Sequence, residues 1–242
     1  MTVVALRLAG PLQSWGSGSR FVRRSSEREP TKSGVLGLVA AAKGLRRTDS
    51  LEEVLGLRFG VRVDQPGRLI RDFQTAQRPR TAKDGTVTWT SMPLSQRYYL
   101  SDAVYVAVLE GEQALVEGID AALRSPQFPL YLGRRSCPPA GPIALGVYQG
   151  DVEQALADVP WQASKREQLR HRQRTVRLAT ACDAPPDAEP GTEMMRDVPV
   201  SFDPNHRQHE WRAIVRDVVE LANPHGAHDA VTEHDPMSSL GG

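Results

Sequence analysis

The stretch TVVALRLAGP, residues 2–11, decides the fold because it predicts the first core strand and the turn that ends it. β-Branched and aliphatic residues fill Thr2–Ala9, as is typical of a strand, and Gly10-Pro11 is a turn signal. Residues 12–26 are rich in Gly and Ser and contain three arginines, so a loop is predicted there. The rest of the fold is arranged around this strand and its basic loop.

A helix is predicted directly after this loop. Pro30 precedes Thr31 and Ser33, two candidate N-cap residues, and an apolar run over residues 35–42 supplies a buried face. Gly44 marks the expected end of the helix, because glycine readily adopts the left-handed conformation found after helices.

Hydrophobic periodicity predicts three more strands and a second helix. Residues 58–64 alternate, so they are expected to form a half-buried strand with Arg62 and Asp64 on the side away from the core. The other segments are a central strand at 103–109, a helix at 113–124 and a strand at 143–148. The order strand, helix, strand, insertion, strand, helix, strand is the ferredoxin-like α+β pattern. Many unrelated proteins share it, so it does not define function.

The insertion, about residues 69–101, mixes cations with aromatic side chains. Asp84-Gly85 lies between two polar segments and predicts a hairpin. Cations interleaved with aromatics suit the backbone and bases of single-stranded nucleic acid. The alternative is a flexible surface hairpin whose aromatics are tucked into the core. The residues concerned are Arg71, Arg78, Arg80, Lys83 and Arg97 with Phe73, Trp89, Tyr98 and Tyr99.

The chain beyond residue 150 has weaker signals. Residues 165–177 are a basic run, and 184–191 are rich in Pro and acids, as expected of a linker or loop. The spacing of Trp211, Ile214 and Val218 fits a helix, whereas their β-branched neighbours also allow a strand. Residues 223–242 are expected to form a disordered tail.

The net charge of +1 conceals two oppositely charged halves. Residues 1–100 contain 17 Lys and Arg against 8 Asp and Glu, and residues 101–242 contain 13 against 21. This asymmetry favours a polyanion site in the first half. Chance clustering on solvated faces is the alternative.

The sequence YLGRRSCP, residues 131–138, predicts an anion-binding loop. Gly133 lets backbone amides approach a ligand closely, and guanidinium groups bind phosphate with paired hydrogen bonds. Arg134 and Arg135 are the only charged residues between Arg124 and Asp151. A solvated surface pair is the alternative interpretation.

Several classes of protein are disfavoured. Cys137 and Cys182 form neither a disulfide framework nor a zinc motif. No signal peptide is found, and the longest apolar stretch, 35–42, is too short to span a bilayer. A cytoplasmic protein without membrane contact and without a metal or other cofactor is therefore expected.

Catalysis of RNA cleavage is also disfavoured. Every histidine lies at position 171 or later, whereas metal-independent cleavage usually needs a base and an acid, most often His, beside the 2′-hydroxyl. Tyr and Lys can substitute, so a nuclease is not excluded. The segment 10–17 lacks the Gly-Lys-Ser/Thr ending of a phosphate-binding P-loop.

Four motifs together resemble one family. They are LRLAGPLQSWG (6–16), PTKSGVLGLVAA (30–41), RDFQTAQ (71–77) and YLGRRSCP (131–138). In this order they are similar to the CasD subunits of Cascade, the type I-E CRISPR surveillance complex, which belong to the RAMP superfamily. The resemblance covers about residues 1–150 and resumes weakly at His209-Glu210-Trp211. No functional residue is transferred to residues 151–191.

The resemblance implies a fold and an assembly. It implies a ferredoxin-like RNA-binding domain over 1–150 with a β-hairpin thumb at about 69–101, and a smaller C-terminal β region over 151–222. Residues 211–216 would then be a strand. The protein would hold the 5′ handle of the CRISPR RNA, and contact the backbone subunit and the large subunit that reads the protospacer-adjacent motif. Target DNA would be met indirectly, through the complex.

The resemblance also implies a non-catalytic role, although a related type I-C subunit cleaves RNA. Two rivals stay open: an endoribonuclease that cuts CRISPR repeat RNA without a metal, and an adaptor whose basic half meets an acidic protein. Trp15 would either stack on a base or fill the core. The expected RNA-binding residues are Gln13, Ser14, Trp15, Gly16, Arg23, Arg24, Thr31, Lys32, Ser33, Gly34, Arg71, Gln74, Arg78, Arg97, Gly133, Arg134, Arg135 and Ser136.

Overall fold

A computed structural model describes residues 1–16, 23–185, 193–203 and 208–227. Its helices are α1 (Lys32–Lys43), α2 (Glu52–Leu55), α3 (Gln113–Arg124), α4 (Val152–Asp158) and α5 (Lys165–Arg170). Its strands are β1 (Thr2–Ala9), β2 (Leu12–Gln13), β3 (Arg23–Arg24), β4 (Arg58–Gln65), β5 (Arg68–Gln74), β6 (Gln77–Thr81), β7 (Val87–Ser91), β8 (Ser95–Ser101), β9 (Val104–Gly111), β10 (Ala144–Gln149), β11 (Thr175–Asp183), β12 (Glu193–Ser201) and β13 (Gln208–Ala222).

The centre of this mixed α/β fold is a seven-stranded sheet in the order β10-β1-β9-β4-β11-β13-β12. Every neighbouring pair in it is antiparallel. Helices α1 and α3 cover one face and form the larger apolar core with β1 and β9. Helix α4 covers the other face, where Val152, Ala155 and Leu156 form a second core with the sheet. No helix among the described residues is both long and apolar enough to cross a membrane.

The local signals at α1 are confirmed. The Thr31 hydroxyl accepts a hydrogen bond from the backbone N–H of Gly34 at 3.2 Å, so Thr31 is the N-cap. Gly44 has a φ of 80°, the left-handed conformation predicted for the end of the helix. The predicted bounds of α3 and the predicted strands around it are confirmed to within a residue or two.

The expectation of a half-buried β4 is wrong. The side chains of Arg62 and Asp64 are fully buried, because α4 and residues 159–162 cover the face on which they lie. Arg62 Nε and Nη2 donate to the two carboxylate oxygens of Asp64 at 2.7 and 2.9 Å. Arg62 also donates to the carbonyls of Leu156, Val159 and Pro160. The buried ion pair thus lies within β4, and the hydrogen bonds of Arg62 join this strand to α4 and the segment after it.

The C-terminal strands continue the main sheet. Strand β11 pairs with β4 through Thr180–Arg62, Ala181–Val61 and Cys182–Gly60, and β13 pairs with both β11 and β12. Residues 211–216 lie in β13, so the strand implied by the resemblance is confirmed.

The expected tail begins with an ordered turn. Asn223 is buried, and Gly226 N–H donates to the Asn223 carbonyl at 3.1 Å. Residues 228–242 lie outside the described residues, as do 186–192 of the expected linker.

Residues 68–101, here called the arm, form a long hairpin. Strand β5 pairs with β8 at its base, and β6 pairs with β7 towards its tip. The predicted Asp84-Gly85 turn is confirmed: Gly85 has a φ of 83°, and Asp84 Oδ1 accepts from Thr86 N–H at 3.0 Å. Tyr99 is buried at the base, whereas Phe73 and Trp89 are exposed.

Candidate nucleic-acid interface

The loop at 131–138 meets the loop after β2 and the arm at one place. Ser14 N–H donates to the Leu132 carbonyl at 3.1 Å, and the Ser14 hydroxyl donates to the Tyr98 carbonyl at 3.1 Å. Gly133 has a φ of 89°, and a Cβ there would overlap the carbonyl oxygen of Ser14. Glycine is therefore required at this position by backbone contact within the protein.

Arg134 holds this junction together. Its Nη1 donates to the Tyr98 carbonyl at 3.1 Å, and its Nη2 to the Arg24 carbonyl at 3.0 Å. The guanidinium lies over the Tyr99 ring, 4.9 Å from the centroid. Both terminal nitrogens of the guanidinium thus donate to backbone carbonyls of the protein. Arg134 therefore ties three segments together, and its contact with RNA stays a prediction.

Arg135 has the opposite environment. Its side chain is exposed and makes no hydrogen bond or ion pair with any residue that the structure describes. Ser136 is also exposed, and its hydroxyl lies 3.3 Å from that of Tyr99. Of the two adjacent arginines, Arg135 is the one available to an external anion.

Of the two roles expected for Trp15, burial supports core filling and excludes base stacking. The indole is 1% exposed and belongs to the larger core. Its Nε1 donates at 3.0 Å to Gln13 Oε1, and Gln13 Nε2 donates to the Leu8 and Ala103 carbonyls. A Cβ on Gly34 would lie 2.7 Å from the indole, which explains that glycine. Gln13, Ser14 and Trp15 are buried and support the interface from within, whereas Gly34 is half-buried and Gly16 is exposed.

The start of helix α1 was predicted to bind phosphate, but a carboxylate of the protein occupies it. Lys32 N–H donates to Asp197 Oδ2 at 2.7 Å, and Lys32 Nζ forms an ion pair with Asp183 at 2.7 Å. Thr31, Lys32 and Ser33 are buried. A helix N-terminus does attract anions, and Asp197 from β12 satisfies it here. These three residues are therefore corrected to structural roles.

A buried arginine completes this cluster. Arg212 Nε donates to Asp197 Oδ1 at 2.6 Å, and Arg212 Nη1 donates to Asp183 Oδ1 at 2.7 Å. Burial lowers the pKa of Arg212, but the two carboxylates outweigh it, so the pKa is raised above its ordinary value. The cluster is charge-balanced internally and offers no site for an external phosphate.

Arginines of the arm and β3 lie beside Arg134, the chain neighbour of Arg135. Arg24 on β3 pairs in register with Arg97 on β8, so two guanidinium side chains leave the sheet side by side. Like charges directly opposite each other are destabilising unless a counter-charge is present. Asp72, directly opposite Arg97 on β5, places a carboxylate beside this pair and also accepts a hydrogen bond from Gln74. Arg97 Nε is buried without a partner among the described residues.

Arg97 and Arg134 share one face of β8, because Arg97 and Tyr99 are two residues apart and Arg134 lies over Tyr99. Arg24, Arg97, Arg134 and Arg135 are here called the arginine face. Further out on the arm, Arg71 is exposed over the Phe73 ring at 5.0 Å, and Arg78 is exposed on β6. The backbone of Arg23 lies in β3 beside Gln96.

No group of three metal-ligating side chains is found in the described part of the chain. Burial raises the pKa of Cys182 to about 12, so this thiol is protonated at neutral pH. Burial also raises the pKa of Cys137.

Comparison with known proteins identifies the family. A family model described as "CRISPR-associated protein (Cas_Cas5)" matches residues 3–215, and the chain belongs to this family. The CRISPR system Cascade subunit CasD of Escherichia coli (strain K12) is 34% identical over 166 residues, covering 62% of this chain and 74% of that protein. The resemblance inferred from the four motifs is thus confirmed.

Two solved structures are similar over almost the whole chain. One, described as a crystal structure of a Cas protein, is 33% identical with a TM-score of 0.67, covering 93% of this chain and 98% of that one. The other, described as a CRISPR RNA-guided surveillance complex, is 31% identical with a TM-score of 0.73, covering 98% and 97%.

Proposed function

We propose that this protein is a non-catalytic, cytoplasmic subunit of a type I-E CRISPR surveillance complex that holds the 5′ handle of the CRISPR RNA. The observation that carries the proposal is the arginine face, where Arg24 and Arg97 lie side by side and Arg135 has no partner among the described residues. Guanidinium groups bind phosphate with charge-assisted hydrogen bonds, so the exposed Arg135 offers a site for an RNA phosphate. Similarity to a Cascade subunit and to a surveillance-complex chain supports the assembly.

The proposal includes a ferredoxin-like RAMP domain over residues 1–150. Supporting it, β1, β4, β9 and β10 alternate with α1 and α3 along the chain and lie in the order β10-β1-β9-β4. The arm would be the thumb of this domain, and residues 151–222 its smaller C-terminal β region.

The arm would contact the backbone subunit. Seven large apolar side chains on it are exposed, far more than scattered surface residues need. They are Leu69, Ile70, Phe73, Val87, Trp89, Met92 and Leu94. Phe73 and Trp89, with Arg71 and Arg78, also suit stacking and backbone contact with single-stranded RNA. The large subunit would bind elsewhere on the chain, and target DNA would be reached through the complex.

Replacing Arg97 and Arg135 by Gln is expected to weaken binding of single-stranded handle RNA. Each lost phosphate contact should reduce the slope of log Kobs against log salt by about 0.7, so the double variant should lose about 1.4 in slope and more than about tenfold in affinity near 0.1 M salt. Fluorescence anisotropy over a salt series measures both quantities.

The matched control is Arg46→Gln with Arg47→Gln. These two arginines are exposed in the loop after α1, at the far end of that helix from the N-terminus near Trp15. This distal pair should leave the RNA affinity and its salt slope near their wild-type values. Equal losses in the two double variants would show that only overall charge matters, and the arginine face would then not be the RNA site.

The purified protein is expected to leave CRISPR repeat RNA intact in EDTA. The described histidines are His171 after α5, His209 on β13 and His225 after β13, and none of them belongs to the arginine face. Gel analysis of end-labelled repeat RNA after prolonged incubation checks this expectation. Cleavage at one defined position, lost when Arg97 and Arg135 are replaced, would establish the endoribonuclease instead.

A further inference from the structure

We propose that residues 165–177, here called the basic segment, form a second phosphate-binding surface that contacts the backbone of duplex nucleic acid. This inference goes beyond the proposed handle-binding function and concerns a different part of the chain. It stands on the charge of the segment, on how its backbone is held, and on the lack of exposed aromatics.

The charge of the basic segment opposes that of its surroundings. It contains six of the 13 Lys and Arg found in residues 101–242, although that part of the chain carries 21 Asp and Glu. The six are Lys165, Arg166, Arg170, Arg172, Arg174 and Arg177, and all are exposed. Glu167 is the segment's own acid, and it already binds Arg170 at 2.6 Å and His171 at 3.2 Å.

Lys165, Arg166 and Arg172 are the cations best placed for an external anion. They make no ion pair or side-chain hydrogen bond with the described residues. Arg177 differs, because Glu220 is its cross-strand neighbour on β13. A surface that leaves several guanidinium and ammonium groups uncompensated, within an otherwise acidic region, is the electrostatic footprint of a polyanion site.

Uncharged side chains hold the backbone of the segment in place. The buried Asn223 directs its Nδ2 to the carbonyls of Gln168, His171 and Gln173 at 3.1, 2.6 and 3.0 Å. Gln168 Nε2 donates to the Trp161 carbonyl at 3.0 Å. Backbone N–H groups of Asn223 and Ala227 donate to the carbonyls of Arg174 and Arg172. The carbonyls are thus satisfied from within, and the cations are presented on an ordered backbone.

The segment lies beside the base of the arm. Ser164, which caps α5, donates to Gln65 Oε1 from both its N–H and its hydroxyl, at 3.1 and 2.9 Å. Gln65 is the last residue of β4, and the arm begins three residues later. A nucleic acid on the basic segment would therefore run close to the root of the hairpin.

The composition favours a duplex over a single strand. Single-stranded sites combine cations with exposed aromatics that stack on bases, as the arm does with Phe73 and Trp89. The basic segment contains no Phe, Tyr or Trp, and the neighbouring Trp161 is buried. In a duplex the bases are paired and the backbone presents only phosphate charge. Cations without exposed aromatic side chains suit such a ligand.

The test replaces Arg166 and Arg172 by Gln in the full-length protein. Binding of a short duplex DNA of arbitrary sequence is titrated over about 50 to 200 mM salt, alongside a single-stranded RNA of the same length. For the duplex we expect a loss of about 1.8 in the log–log salt slope and more than about tenfold in affinity near 0.1 M salt. The RNA affinity should stay within about twofold of wild type.

The distal pair Arg46→Gln with Arg47→Gln removes the same charge and should leave duplex binding near wild type. Unchanged duplex binding in the Arg166→Gln, Arg172→Gln variant, or a loss equal to that of the distal pair, would overturn the proposal. An RNA loss as large as the duplex loss would also overturn it, because the segment would then extend the single-strand site. The handle-binding proposal is tested separately, because its variant replaces Arg97 and Arg135 and its measurement is the affinity for handle RNA.

Discussion

Replacing Asp64 by Asn is expected to lower the free energy of unfolding by about 3–5 kcal/mol, because breaking a fully buried ion pair leaves an uncompensated charge. The side chains of both Asp64 and Arg62 are 0% exposed. Asp64 accepts two hydrogen bonds from Arg62, and its Oδ2 also accepts one from Gln162 N–H. Asn keeps the size of the side chain but replaces one acceptor oxygen by an NH2 donor, so the effect combines loss of the charge with loss of an acceptor. Urea unfolding followed by circular dichroism measures the difference.

The chain offers a matched control in the exposed pair Asp120–Arg124 on α3. Its N–O distance, 2.7 Å, equals that of Arg62–Asp64, but the arginine is 56% exposed. Asp120→Asn is expected to cost less than about 1 kcal/mol, since solvent screens surface pairs. Equal costs in the two variants would show that Arg62 finds other compensation and that β4 does not depend on the pair.

Replacing Asp197 by Asn is expected to cost about 3 kcal/mol of stability, again by breaking a buried pair. Arg212 keeps Asp183 but loses the carboxylate that binds its Nε, and the N-terminus of α1 loses its anion. Because a helix N-terminus and a free guanidinium both attract anions, added sulfate should restore part of the lost stability in this variant. Urea midpoints with and without sulfate test both statements.

Glu193→Gln is the matched control for Asp197→Asn, because it removes one carboxylate from an arginine that is exposed. Arg216 also binds two carboxylates, Glu193 and Glu29, but Arg216 is 45% exposed. Removing one of its two partners should cost less than about 1 kcal/mol and should give no sulfate response beyond that of the wild type. A sulfate response of equal size in both variants would contradict the idea that the α1 N-terminus is the anion site that Asp197 occupies.

The elements that the sequence predicts well are those set by local signals. Helix α1 begins after the Thr31 cap and ends at Gly44, and α3 spans Gln113–Arg124 as its periodicity indicates. Periodicity did not predict that both faces of β4 are buried, because the second face is covered by α4, a helix almost ninety residues further along the chain. The apolar spacing of Val152, Ala155 and Leu156 after the capping Asp151 was a usable signal for that helix.

The candidate site also contains features that the sequence predicted and features that depend on distant contacts. Residues 131–138 lie beside the arm and the loop after β2, and RNA-binding candidates were predicted from the sequence in all three segments. The separate roles of Arg134 and Arg135 depend on carbonyls of Tyr98 and Arg24, which no local pattern reveals. The closure of the α1 N-terminus by Asp197 depends on a contact across 165 residues.

The position of β11 between β4 and β13 has a consequence for how the chain folds as it is synthesised. Before β11 emerges from the ribosome, β4 is an unprotected sheet edge with unpaired N–H and C=O groups. The pairing of Thr180 with Arg62 joins segments more than a hundred residues apart, so this step has a high loop-closure entropy. A nascent chain that ends near residue 150 therefore exposes an aggregation-prone edge, and the final third of the sequence acts as its cover.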